Sequence, residues 1–452
     1  MSTSSRRRPL RLLVGLLAAL SLVFTGCAVG PGSGEDSNGK PVLRAIFLPA
    51  TWGEVVKDEL APQYERETGV RVDVQLIGRD AIHEKMATLF ASQDASFDIF
   101  NVDYNWIPEF GRAGHLLDLS DQLTDEDRKD FFPQALRVAT WDNKLYGVPQ
   151  TIHPHLLWYR NDLFRDPKTQ ADFRRQTGRE LAPPKTMDEW LQITEFFNGR
   201  EYDGQTVNGW AAQAARGFGN VHTWLSFVYS YGGQPLTADF GQSQLSSEPV
   251  KKATAQWAEM MKYMPPGAND FTYDDVTTAA QQGTVATVLQ WSWGAFAVDD
   301  PEKSRTVGDW SFVQVPAGTG GTGRPHLAEW VISVSKYSEN AEEAKKFVTW
   351  LETKENDVLQ ASKGAGDPVR QSSYQTESLT SQTLPDSDVQ RFRRFPAVLE
   401  AMGNAQPRPF FPAEERWETV VSPELSAISL GRRSVEEGLR HADEAVNQML
   451  QR

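Results

Sequence analysis

"VLRAIFLPATWGEVVKDELAPQYERETGVRVDVQL", residues 42–76, decides the fold. Its opening "VLRAIFL" (42–48) is a short apolar run, and its closing "VRVDVQL" (70–76) alternates with the period of two expected of a strand. Between them "EVVKDELAPQYERETG" carries helical spacing and stops at Gly69, a residue that ends helices at little steric cost. The pattern then repeats. A helix runs through Met86 and Phe90, the apolar "FDIFNV" (97–102) follows, and another helix precedes Gly114. Strand-helix-strand repetition predicts an α/β domain with a largely parallel sheet. In open sheets of this kind ligands gather beyond the carboxyl ends of the strands. Those ends carry Thr51 and Trp52, in an exit loop, and then Asp103, Tyr104, Asn105 and Trp106.

A second α/β segment starts near "LYGVPQTIHPHLLWYRNDLF" (145–164). Thr186 and Glu189 form a capping box ahead of a helix, an aromatic loop "RGFGNVHTWLSFVYSYGG" (216–233) follows, and Ser247 caps a helix carrying Val250, Ala253, Trp257 and Met261. "VATVLQWSWGAF" (285–296) runs a buried strand into two tryptophans. With period-two alternation Trp291 and Trp293 point to the same side of an extended segment.

Composition narrows the partners. The chain has 452 residues, long enough for two domains, and 14 tryptophans spread from Trp52 to Trp417. A net charge of −14 disfavours a surface that tracks nucleic-acid phosphates. At the N-terminus Arg6, Arg7, Arg8 and Arg11 precede an apolar run from Leu12 to Phe24, the length of a signal-peptide core and too short to span a bilayer. The run ends at Thr25-Gly26-Cys27, and Cys27 is the single cysteine, so no disulfide forms within one chain. Residues 28–40 are small, polar and glycine-rich, as a flexible tether is.

The segment ending at Cys27 resembles a bacterial lipoprotein precursor. That resemblance implies removal of residues 1–26, a lipid on Cys27, and residues 27–40 as the tether holding an exported domain at the outer face of the cytoplasmic membrane. Phe24 stands where that family usually has Leu, Val or Ile.

Further motifs make a second resemblance that covers nearly all of the rest. "FDIFNVDYNWIPEFGRAGHLLDLSDQL" (97–123), "LYGVPQ" with "LLWYRNDLF" (145–164), "TTAAQQGTVATVLQWSWGA" (277–295), "AEWVISVSKYSENAEEAKKFVTWLETKE" (328–355) and "LGRRSVEEGLRHADEAVNQML" (430–450) occur in one order. In that order they resemble extracellular solute-binding proteins of bacterial ABC importers, in the sugar-binding family that includes maltose-binding protein. The resemblance implies a two-lobed periplasmic-binding-protein-like α/β fold, each lobe a sheet flanked by helices, with a ligand cleft between them. It implies lobes of residues 41–149 with 331–370 and of 150–330 with 371–452. The chain would cross between them near Val148–Thr151, Glu329–Ile332 and Val369–Ser373.

It further implies a carbohydrate ligand, an ABC permease as membrane partner, a monomer, and no cofactor, metal or nucleic acid. Trp293 matches the family's stacking tryptophan, Trp291 either stacks or packs behind it, and Trp417, in "FFPAEERWETVV", matches a late stacking position or is core. Asp103, Tyr104, Asn105 and Trp106 fall where the family supplies hydroxyl-binding groups. His153 matches a polar contact, Glu329 and Trp330 sit at the second crossing, and Arg370 near the third is either a fork for hydroxyls or a solvated hinge residue. Residues 215–224 and 400–417 would set ligand length.

Stacking has a physical basis: the face of a tryptophan ring is electron-rich, and the C–H face of a sugar ring is apolar and weakly positive. The alternative ligand is another small polar solute such as a polyamine, peptide or amino sugar, and rival classes leave weaker signals. A glycoside hydrolase needs a carboxyl pair at a set separation, no G-x-S-x-G, H-E-x-x-H or P-loop pattern is present, and His153 with His155 offers a metal two ligands only.

Overall fold

The computed structural model describes residues 41–318, 322–380 and 393–451, so Cys27 and the tether lie outside the described residues. The strands among them are β1 (Val42–Phe47), β2 (Arg71–Leu76), β3 (Ile99–Asp103), the hairpin β4 (Thr140–Trp141) and β5 (Lys144–Leu145), β6 (Val148–Arg160), β7 (Arg200–Tyr202), β8 (Gln205–Ala212), β9 (Val285–Trp291), β10 (Trp310–Gln314), β11 (His326–Val334) and β12 (Gln406–Pro407). Ten of them join one sheet in the order β2-β1-β3-β11-β6-β9-β8-β7, with β10 on β6 and β12 on β11.

β1 pairs parallel with β2 and β3, as the strand-helix-strand pattern requires, and β8 pairs parallel with β9. The two parallel groups are stitched together by antiparallel strands. β11 pairs with β3 through Trp330–Val334 and with β6 through Leu327–Ile332, while β6 goes on to pair with β9 through His155–Tyr159. The two long strands therefore carry the chain from one half of the sheet to the other.

Burial explains the sequence patterns. All residues of β3 and β9 are buried, so both read as unbroken apolar runs, whereas β2 at the sheet edge alternates. The helix after β1 starts at Thr51 and ends at Thr68, with Gly69 at φ 75° as its left-handed cap. Thr51 and Trp52 are thus the first turn of a helix, not a loop. The start is abrupt because a Cβ on Gly53 would lie 2.0 Å from the Leu48 carbonyl oxygen; only glycine lets the turn close onto the end of β1. The Thr186–Glu189 capping box forms as the spacing predicts.

Phe218–Ser230, expected as an aromatic loop, is a helix. Nearly every residue of it is buried, polar Asn220, His222, Thr223 and Ser226 included, so it lacks the amphipathic period by which surface helices are recognised. It sits in a core of Trp190, Trp210, Trp224, Trp257 and Trp417, beside the helices Glu248–Met260 and Glu414–Ser429. A separate core underlies β1, β2 and β3 and extends to Trp158 and Trp310 in the other half. Val369–Ser373 remains bonded to Asp357, Asp127 and Asp130, while Gln406–Pro407 is the later segment that lies along β11.

Candidate functional site

The carboxyl ends of β1 and β9 meet β6 and β11 around a cavity of about 480 Å³. The first turn after β1 brings Thr51 and Trp52, β6 brings His153, β9 brings Trp291, and β11 brings Ala328 and Trp330. Ala328 and Trp330 are two apart and share a face; Glu329 between them points to the other face of β11.

Trp291 and Trp293 both line the cavity, but not through strand alternation. β9 ends at Trp291, and Ser292–Asp299 is 3-10 helical, so a tight turn places Trp293. Its ring stacks on Tyr273, centroids 4.7 Å apart at 12°, and meets the edge of Trp52 at 5.3 Å and 84°. Trp52 also lies 6.2 Å from Trp330. Trp52 and Trp330 are buried to 2 % and 8 % exposure, while Trp293 keeps a half-buried face. The Trp52 indole N–H donates to Asn101 Oδ1 at 3.2 Å, which fixes the ring.

Polar groups are few and placed at the edge of these rings. His153 Nε2 lies 2.7 Å from Thr151 Oγ1, and its Nδ1 is 3.8 Å from Asp367. Burial lowers the pKa of this imidazole, against the opposing pull of Asp367, and so favours a neutral ring. Glu54, Gln213 and Asp274 add two carboxylates and an amide to the lining.

Arg79 lines the same cavity and ties its sides together. Its Nε donates to Asp103 at 2.8 Å and its Nη2 to Glu415 at 2.7 Å, and the guanidinium lies 5.2 Å from the centroids of both Trp106 and Phe218. Burial opposes the charge on Arg79, but Asp103 and Glu415 outweigh it and raise the pKa.

The exit of β3 has a different fate. Asp103 accepts from Arg408 Nη2 as well as from Arg79, Asn105 donates to Glu414 at 2.8 Å and accepts from Arg408, and the Trp106 indole donates to Glu415 at 2.8 Å. The Tyr104 hydroxyl accepts from the Arg408 backbone N–H at 2.8 Å. None of these four residues is in the cavity lining. The helix beginning at Glu414 covers them, and their polar atoms are used inside the protein.

The remaining expected residues are elsewhere. Trp417 is fully buried among the core tryptophans. Arg370 is held by Asp127 at 2.9 Å, Asp130 at 3.3 Å and the Glu352 carbonyl at 2.8 Å, over Phe131. It is thus neither solvated nor presented to the cavity. Both carboxyl oxygens of Glu329 are buried without a hydrogen-bond partner among the described residues, and burial raises its pKa well above the usual range. Residues 215–224 supply Phe218 to the cavity.

Sequence reasoning missed Glu54, Arg79, Gln213, Phe218, Tyr273 and Asp274. Arg79 follows β2 as Trp52 follows β1, so the carboxyl-end rule applied equally there. The Thr272–Asp275 capping box, which sets Tyr273 and Asp274 in a first helical turn, was a second available signal. Among the described residues no group of three or more His, Cys, Asp or Glu side chains is placed to hold a metal, and no helix is long and apolar enough to cross a membrane.

Comparison with known proteins gives one pattern. Residues 49–358 match the family described as bacterial extracellular solute-binding protein. The erythritol/L-threitol-binding protein of Mycolicibacterium smegmatis is 23% identical over 406 residues, 82% of each chain. Maltodextrin-binding protein MdxE of Bacillus subtilis is 24% identical, covering 77% of this chain and 76% of its own. Among solved structures, an ABC transporter solute-binding protein of Agrobacterium radiobacter K84 in complex with ribitol superposes with a TM-score of 0.76 at 21% identity, over 90% of this chain and 98% of that one. Maltose-bound T. maritima MalE3 superposes with a TM-score of 0.75 at 21% identity, over 90% and 99%.

Proposed function

The chain belongs to the bacterial extracellular solute-binding proteins and has their two-lobed α/β fold, and on that premise we propose that it captures a carbohydrate in the ring-lined cavity and delivers it to an ABC permease. The observation that carries this reading is the arrangement of Trp52, edge-on to Trp293 at 84° and tilted to Trp330 at 41°, as walls of a 480 Å³ space that polar groups also line. Rings supply apolar faces for a sugar, and edge groups satisfy hydroxyls that would otherwise be buried unpaired. The volume lies within the range of small-molecule sites, and it favours a polyol, monosaccharide or disaccharide over a long chain. Relatives named for erythritol and L-threitol and for maltodextrin, and neighbours solved with ribitol and maltose, support the same class.

In this reading residues 41–149 with 331–370 and residues 150–330 with 371–452 form lobes that close on the ligand, and the Arg79–Glu415 pair is one of the contacts made on closure. Closure follows if the ligand touches both sides and therefore binds the closed state more tightly. The protein works as a monomer that retains its ligand without turning it over, exported and held by a lipid on Cys27 at the outer face of the cytoplasmic membrane.

A thermal-shift screen against polyols, monosaccharides and disaccharides tests the ligand class. A true ligand at 100 times its dissociation constant stabilises the fold by about 2.7 kcal/mol. Stabilisation by polyamines or amino acids, with none from any sugar or polyol, would remove the carbohydrate assignment. Recovery of the sugar unchanged after long incubation checks retention.

A further inference from the structure

A second cavity, of about 1200 Å³, lies on the other side of the wall that backs the first. Asp103 marks that wall: its Oδ2 accepts from Arg79, which lines the first cavity, and its Oδ1 from Arg408, which lines the second. The rings of Trp141 and Phe410 meet at 5.7 Å and 75° in the second lining. The Trp141 indole N–H is buried and has no hydrogen-bond partner among the described residues. Arg137, Gln234 and Gln244 also line this cavity, and their side chains make no hydrogen bond or ion pair among the described residues.

We propose that this rear cavity is a second carbohydrate site, which takes an uncharged oligosaccharide against Trp141 and Phe410, separate from the front cavity. Two ring faces set at a steep angle present the same kind of surface that the front cavity offers, and the unused amides of Gln234 and Gln244 give hydroxyls partners that cost no existing bond. The lining favours a neutral ligand. Arg408 is already compensated by Asp103 and Glu418, and the lining sets Asp142 against the charge of Arg137. A volume more than twice that of the front cavity suits a longer chain than the front accepts. The proposal rests on the rear lining alone, so it stands or falls independently of what fills the front.

Saturation-transfer NMR tests it with maltotetraose, cellotetraose and raffinose, each added separately to the wild-type protein, Trp293→Ala, Trp141→Ala and Gln234→Trp. Gln234 is exposed, so its indole replacement fills the cavity without disturbing the core, and this variant decides the matter if Trp141→Ala does not fold. The expected result is transfer to at least one of the sugars in wild type, kept in Trp293→Ala and weakened at least tenfold in affinity by Trp141→Ala and by Gln234→Trp. No transfer from wild type to any of the three sugars overturns the proposal. So does transfer that Trp293→Ala abolishes, or that both rear variants leave at wild-type strength.

Discussion

The exits of β1 and β3 look alike in sequence and do opposite things in the structure. Each follows a buried parallel strand, and each carries a tryptophan beside polar residues. After β1 the polar partner of Trp52 is Asn101 within the sheet, which fixes the ring and leaves it facing the cavity. After β3 the partners of Asp103, Asn105 and Trp106 are Arg408, Glu414 and Glu415, and the site is filled by protein instead of ligand. Position at a strand's carboxyl end nominates a residue for binding. Whether another element consumes its hydrogen-bonding capacity decides the outcome.

The largest expected effect would break this comparison most directly. Trp106→Ala removes a fully buried ring and the donor to Glu415, and is expected to destabilise the fold by about 3–5 kcal/mol, measured by denaturant unfolding. A nearly unchanged stability with a large loss of sugar affinity would put the β3 exit back in the ligand site. Trp293→Ala is expected to do the reverse: binding weakened by about 2–4 kcal/mol by calorimetry, with the unfolding transition still cooperative. Trp293→Phe, which keeps a ring face, should recover part of that loss.

A smaller effect concerns the histidines behind the rings. Burial pushes His155 down to about 3, and His222 and His326 are also held well below their usual value, first by burial and then by neighbouring Arg408 or histidine. Arg408 donates to His222 Nε2 at 3.0 Å, which leaves His222 Nδ1 to donate to His326 Nε2 at 3.0 Å, so the chain of bonds requires neutral rings. A depressed histidine costs nothing above its unfolded pKa near 6.5, and stability is lost as pH falls below that value because the unfolded state binds the proton first. Wild type should therefore lose about 1.4 kcal/mol per pH unit more steeply than His155→Gln between pH 6.5 and about 3. Parallel pH profiles for the two proteins would show that His155 is not neutralised by its burial. The smallest effect is a control far from both exits: Thr186→Ala removes a helix cap and should cost about 1 kcal/mol of stability without altering affinity.

Local chemistry is what the sequence settles by itself here. The βαβ order of residues 42–102, the helix stop at Gly69, and the capping box at Thr186 each depend on residues within a few positions of one another, and each forms as read. The buried helix Phe218–Ser230 escaped because total burial erases the period that a solvent boundary writes into a surface helix. The tertiary structure alone decided which aromatic residues face the cavity. Asp103 meets Arg408 across 305 positions and Asn105 meets Glu414 across 309, while Trp417, matched to a stacking position by its surrounding motif, is enclosed by the core around Trp224 and Trp257. Desolvation and hydrogen-bond satisfaction are properties of the surrounding volume, and in a chain of this length that volume is assembled from segments hundreds of residues apart.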